Sequence, residues 1–176
     1  MLYTRKGDDG TSGLFGTKDR LPKNSPIYDA LGALDELNSL LGMCRARLVS
    51  YSFFQLQNSI ERSQESLFII QAELAGAEKI LSQEHVDTLE NAVDSIEKLI
   101  GNPHAFTIPG ATELSGLLDY ARAVSRRVER VVISVGTTHN ISPASTAYLN
   151  RLSSFLYALA RYTAAEAKAK ESSPSY

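Results

Sequence analysis

Two stretches hold the side chains that could do chemistry. In "TRKGDDGTSGLFG", Thr4 to Gly16, glycines recur at every third position, Gly7, Gly10, Gly13 and Gly16. Without a Cβ, these positions let backbone N–H groups approach and converge on one anion. Thr4, Thr11 and Ser12 add hydroxyl donors, and Arg5, Lys6, Lys18 and Lys23 add positive charge. Those are the parts of a polyphosphate cradle, and the alternative is a flexible amino-terminal segment. The Walker order G-x-x-x-x-G-K-[ST] is missing and no strand is expected ahead of the segment, so P-loop mechanics do not apply. Asp8 and Asp9 would have to face away from an anion, hydrogen-bond the loop itself, or help hold a hydrated magnesium ion against phosphates.

The second stretch is "ARAVSRRVER", with Arg122, Arg126, Arg127 and Arg130. At roughly 100° per residue, Arg122, Arg126 and Arg130 fall within about 80° of one another on a helix. Leu114, Leu118, Ala121, Val124, Val128 and Val135 occupy the opposite side. Like charges at a spacing of four destabilise a helix by a few tenths of a kcal/mol each. Too few acids lie nearby in sequence to neutralise the stripe, although Glu129 at its edge can orient Arg126 and Arg122. The arrangement makes sense if an anion, or a carboxylate from elsewhere, binds there; the alternative is a solvated face with ordinary intrahelical ion pairs.

Five helices are expected to position these groups. Ser25 caps the first and Pro26 opens it, since proline's missing N–H would be an orphan there anyway. It runs to about Arg47, with Ile27, Leu31, Leu34, Leu37 and Leu41 on one face. The second opens at Ser52 and ends before Gly76, its apolar stripe broken only by Ser63. The third, about Ser82 to Ile100, stops at Gly101-Asn102-Pro103. Thr112 caps the fourth, about Glu113 to Val135, and Ser142-Pro143 opens the fifth, which reaches about Ala167. No strand alternation stands out, so an all-α bundle is predicted. It is one domain in which residues 1–24 form the glycine-rich segment, 25–170 the bundle, and 171–176 a flexible tail.

The 176 residues carry 18 Lys and Arg against 20 Asp and Glu. That balance argues against a broadly basic nucleic-acid binder, so any anion site must be local. Cys44 is the only cysteine, which excludes an intramolecular disulfide and argues against a thiolate zinc site. Residues 1–20 are too polar for a secretory signal, and no run of about 18 apolar residues could span a membrane. The reading is cytoplasmic. His85, His104 and His139 sit at a polar helix start and in two loops, and are taken as surface residues.

Five blocks in order, "TRKGDDGTSGLFG", "DELNS" (Asp35 to Ser39), "FTIPG" (Phe106 to Gly110), "RRVER" (Arg126 to Arg130) and "YLNRLSS" (Tyr148 to Ser154), resemble the PduO-type ATP:cob(I)alamin adenosyltransferases. The resemblance covers nearly the whole chain. It implies a five-helix bundle that assembles as a homotrimer with active sites between subunits. It also implies transfer of the 5′-deoxyadenosyl group of ATP to reduced cobalamin with release of tripolyphosphate, with magnesium expected on the phosphates. A reductase and a B12-dependent acceptor enzyme are the implied partners. The alternative function is a non-catalytic carrier of ATP or adenosylcobalamin.

Residue by residue, the resemblance assigns the ATP loop to Thr4, Arg5, Lys6, Gly7, Asp8, Gly10, Thr11, Ser12 and Gly13, with Lys18 and Lys23 as further phosphate ligands. It adds Arg126, Arg127, Glu129, Arg130 and Asn150 to the nucleotide site. For Asn150 the alternative is an interhelical hydrogen bond. Asp35, Asn38, Phe106 and Arg122 are implied near the corrinoid, with Asp35 and Arg122 bridging two subunits. Phe106 would close over the lower face of cobalamin and displace its axial ligand; its alternative is a hydrophobic plug between the third and fourth helices. Catalytic roles fall to Arg126, Phe106, Arg122 and Asp35. The chain departs from the family at Lys6, where Thr is usual, and at Ser154, where Asp is usual.

Overall fold

The computed structural model describes residues 2–15, 17–50, 53–101 and 106–176. Five helices follow a short hairpin: α1 (Pro26–Ser50), α2 (Phe54–Leu74), α3 (Gln83–Ile100), α4 (Glu113–Val135) and α5 (Pro143–Glu166). Gly16, Ser52, Asn102, Pro103 and His104, which the sequence reading used, lie outside the described residues. Helix α1 runs past its expected end at Arg47 to Ser50. Helix α2 begins at Phe54 behind Phe53, which makes no side-chain capping bond, and neither does Ser82 ahead of α3; the starts of α4 and α5 follow the capping chemistry. Thr112 accepts from the Ser115 amide while the Ser115 hydroxyl accepts from the Thr112 amide, a reciprocal cap on α4. Ser142 accepts from the Ser145 amide ahead of Pro143 on α5. Gly101 takes a φ of 74° and closes α3, a left-handed turn that favours glycine.

Helix α4 packs on α1 and α5, α1 also on α2, and α5 also on α3. The central trio therefore carries the core. On α1, Ile27, Ala30, Leu34, Leu37, Leu41, Cys44 and Leu48 are buried at spacings of three and four. On α5, Leu149, Leu152, Leu156, Leu159 and Ala160 face it. Ser63, the break in the α2 stripe, is also buried: its hydroxyl donates to the Ser59 carbonyl at 3.0 Å, so the polar atom is satisfied.

The hairpin was not expected. β1 (Thr11–Gly13) pairs antiparallel with β2 (Arg20–Pro22), Ser12 opposite Leu21. Three-residue strands carrying Gly and Pro show no alternation to read. Their order comes from outside the ladder: the Tyr28 hydroxyl on α1 donates to the Ser12 carbonyl at 2.5 Å, and Leu14 and Leu21 pack on the core. Beyond α5 the chain reverses at Lys168, and Ser172 accepts a backbone hydrogen bond from Ile108.

Candidate functional site

The glycine-rich segment closes on itself. The Arg20 guanidinium donates to the Thr11 hydroxyl at 2.7 Å, the Lys6 carbonyl at 2.6 Å and the Thr11 carbonyl at 2.8 Å. The Lys23 ammonium donates to the Gly7 carbonyl at 2.8 Å, and a Cβ on Gly7 would meet that ammonium at 3.0 Å. Gly10 holds a φ of 79° in the turn that returns the chain toward Lys23. Asp9 turns inward on the loop, accepting from the Thr11 amide at 2.9 Å and the Thr11 hydroxyl at 2.7 Å. Those two bonds, the hydroxyl's first, hold the Asp9 carboxyl below its usual value. Of the three roles open to the two aspartates, Asp9 therefore takes the loop-bonding one, while Asp8 stays exposed. Arg20 escaped sequence reading because its role depends on the hairpin, which places it opposite Gly13.

On α4 the arginines divide. Arg127 pairs with Glu36 of α1 at 2.5 Å. Arg122, Arg126 and Arg130 form no ion pair among the described residues, so the stripe is not a set of intrahelical salt bridges. Arg122 and Arg126 line a cavity of about 630 Å³ whose walls also include Phe106, Thr107, Asp119, Ser153, Ser154, Tyr157 and Arg161. The Arg122 guanidinium lies 6.0 Å from the centre of the Tyr157 ring, and its buried Nε has no hydrogen-bond partner among the described residues. Phe106 is 81% exposed at the edge of this cavity. It is therefore not a plug between α3 and α4.

Glu129 does not orient Arg126. It accepts from the Asn150 amide at 2.8 Å, while the Asn150 carbonyl oxygen accepts from Arg151, which pairs with Glu90 of α3 at 2.7 Å. The interhelical bond weighed for Asn150 is thus present, and it links α4, α5 and α3. Asp35 and Asn38 lie on α1 and are not among the cavity's lining residues. Asp35 is exposed, whereas Asn38 is buried and its side-chain oxygen has no hydrogen-bond partner among the described residues.

A buried ion pair was missed altogether. Arg161 and Asp119, 3% and 4% exposed, meet at 2.5 Å in the cavity wall. Each charge interrupts an apolar helix face, and two such interruptions on neighbouring helices are the signal that could have paired them. Among the described residues no cluster of three or more His, Cys, Asp or Glu could hold a metal ion. No described helix is long and apolar enough to cross a membrane.

The model of the cobalamin adenosyltransferase family matches residues 2–163. The corrinoid adenosyltransferase PduO of Salmonella typhimurium is 37% identical over 167 residues, which cover 91% of this chain and 48% of that protein. A corrinoid adenosyltransferase of Citrobacter freundii is 36% identical over 167 residues, covering 91% of this chain and 93% of that protein. The chain thus spans about half the length of the Salmonella relative and nearly all of the Citrobacter one. A phenylalanine-to-histidine variant of a PduO-type ATP:corrinoid adenosyltransferase from Lactobacillus reuteri, complexed with cobalamin and ATP, superposes with a TM-score of 0.91 at 29% identity, covering 99% of this chain and 96% of that one. An arginine-to-lysine variant complexed with ATP gives 0.89 at 29% identity, covering 99% and 100%. With a family model spanning most of its length and relatives well above 30% identity, the chain belongs to the cobalamin adenosyltransferases.

Proposed function

We propose that the chain transfers the 5′-deoxyadenosyl group of ATP to cob(I)alamin, forming adenosylcobalamin and releasing tripolyphosphate. The observation that carries this reading is the convergence of Phe106, Arg122 and Arg126 on one cavity in a chain of this family. In the Lactobacillus variants the replaced phenylalanine and arginine stand twenty positions apart, the separation of Phe106 and Arg126 here. That spacing supports assigning the two residues to the corrinoid and nucleotide sides of one site.

In the reaction a cobalt electron pair forms the Co–C bond to the ribose 5′-carbon while the C–O electron pair departs with the triphosphate. No proton moves, so no general base is required, and none of the histidines is assigned a role. The task left to the protein is electrostatic: to grip three phosphates and stabilise charge growing on the leaving oxygen. Arg126 and Arg130, free of acidic partners among the described residues, suit that task, as do the N–H groups, hydroxyls and lysines of residues 4–23. Lys18, Arg127, Glu129 and Asn150 complete the proposed nucleotide set. Magnesium fits as a hydrated ion on the phosphates, because Asp9 is committed to Thr11 and only Asp8 of the loop stands open.

The unpartnered Arg122 Nε and the exposed Asp35 support completion of the site by a second copy of the chain in a homotrimer. Asp35 and Arg122 would then meet across the boundary near the corrinoid, with Asn38 and Phe106 beside them. A reductase and a B12-dependent acceptor remain the proposed partners, and the cytoplasm the proposed location. The test is turnover. A small amount of protein is mixed with ATP, magnesium and chemically reduced cobalamin while the corrinoid spectrum is followed. Many equivalents of adenosylcobalamin per chain are expected; one equivalent or fewer would make the protein a carrier.

A further inference from the structure

We infer that the segment following α5 is a clasp that positions Phe106, with Glu171 and Arg161 as its positioning residues. This rests on the corrinoid reading of the cavity. Helix α5 ends in a reversal: the Ala169 amide donates to the Ala164 carbonyl at 3.0 Å and the Lys168 amide to the Ala165 carbonyl at 2.8 Å. Lys168 sits at a φ of 53°, a left-handed conformation that a non-glycine residue adopts only at a cost. Two contacts beyond this turn fix the segment that follows. Glu171 approaches the Arg161 Nε at 3.1 Å, and the Ser172 carbonyl accepts from the Ile108 amide at 2.8 Å.

Arg161 makes a firm anchor because it is buried and paired. It is 3% exposed, held by Asp119 at 2.5 Å, and lies 5.1 Å from the centre of the Tyr157 ring, which Arg122 approaches as well. From that anchor the chain reaches directly to Ile108, two residues past Phe106. The other end of the 106–110 segment is fixed by close approach: Gly110 lies against α4 where a Cβ on Gly116 would meet the Gly110 Cα at 3.2 Å. Among the described residues, the bond to Ser172 is the one backbone hydrogen bond that residues 106–110 make to another segment. Phe106 is itself exposed, so its own packing does not place it.

The test uses the full chain and two variants, Glu171→Ala and Glu171→Gln. Amide hydrogen exchange at Ile108 is measured without ligands, and the KM values for ATP and cobalamin are measured separately. Loss of the anchor in Glu171→Ala should speed exchange at Ile108 by up to about tenfold, the order expected for an ion pair at a partly exposed site. The KM for cobalamin should rise by a similar factor while that for ATP stays within about twofold. Glu171→Gln, which keeps the side chain's size but removes the charge that faces Arg161, should show most of both effects, whereas wild-type exchange and cobalamin KM in that variant would overturn the ion pair as the anchor. Unchanged exchange at Ile108 would overturn the clasp, and faster exchange with an unchanged cobalamin KM would overturn its hold on Phe106. Should the wild-type chain show no turnover while Ile108 still responds, the clasp stands and the proposed activity falls.

Discussion

Asp9 shows how an acidic side chain can sit inside a segment proposed to bind phosphates. Its carboxylate is spent on the Thr11 hydroxyl and amide, so it shapes the loop and does not face the anion. Because those bonds lower its pKa from the ordinary aspartate value of 3.8, the order they contribute is present above that value and is lost as the pH falls through the lowered one. The Thr11 amide resonance, followed downward from neutral pH, should therefore titrate with a midpoint below 3.8. A midpoint at or above it would detach Asp9 from Thr11. Arg126 is the opposite case, an exposed cation that forms no ion pair among the described residues. Arg126→Ala should lower kcat by about 10²–10³-fold, as removal of one charge-stabilising group does elsewhere, with the helical circular dichroism retained because the side chain carries no packing. Wild-type turnover in that variant would leave the arginine stripe without a role.

Among the elements, α5 depends on a group its own sequence does not announce. Glu73 of α2 is buried, and it accepts from the Ser142 amide and, at 2.5 Å, from the Ser145 hydroxyl. A carboxylate thus meets the N-terminus of α5, where the helix dipole and orphan N–H groups favour negative charge. Glu73→Ala strands those donors in the interior and should cost about 1–3 kcal/mol of stability, read as a lower midpoint in urea with an unchanged slope. Equal midpoints would mean that water replaces the carboxylate. Ser142-Pro143 and Thr112 were legible as helix starts because a cap acts on its own neighbours. Glu73 was not, because its partners lie some seventy residues away in sequence. The same distinction explains the hairpin: Arg20 and Tyr28 order it through contacts that no local period encodes. It also separates Arg127 from Arg126, neighbours in sequence whose surroundings are Glu36 on one side and the cavity on the other.

Across the whole molecule, the glycine-rich segment and the α4 arginines are proposed to grip one triphosphate from two different copies of the chain. In the single chain the loop closes through Arg20 and Lys23, while the buried Arg122 Nε has no hydrogen-bond partner among the described residues. Periodicity and capping report on one chain's own helices, so they show the two halves separately; that the halves come from neighbouring subunits is what the family resemblance implies. Mixing two defective chains separates the possibilities. Lys23→Ala would damage the loop half and Arg126→Ala the helix half, and each alone should be nearly inactive. In a cyclic assembly of randomly mixed subunits at equal amounts, about one quarter of the sites would combine an intact loop from one chain with an intact helix from the next. Co-expressed chains should therefore recover about a quarter of wild-type activity, and separately purified chains mixed without subunit exchange should recover none. If every site were built within one chain, co-expression would rescue nothing, since each chain would carry its own defect into its own site.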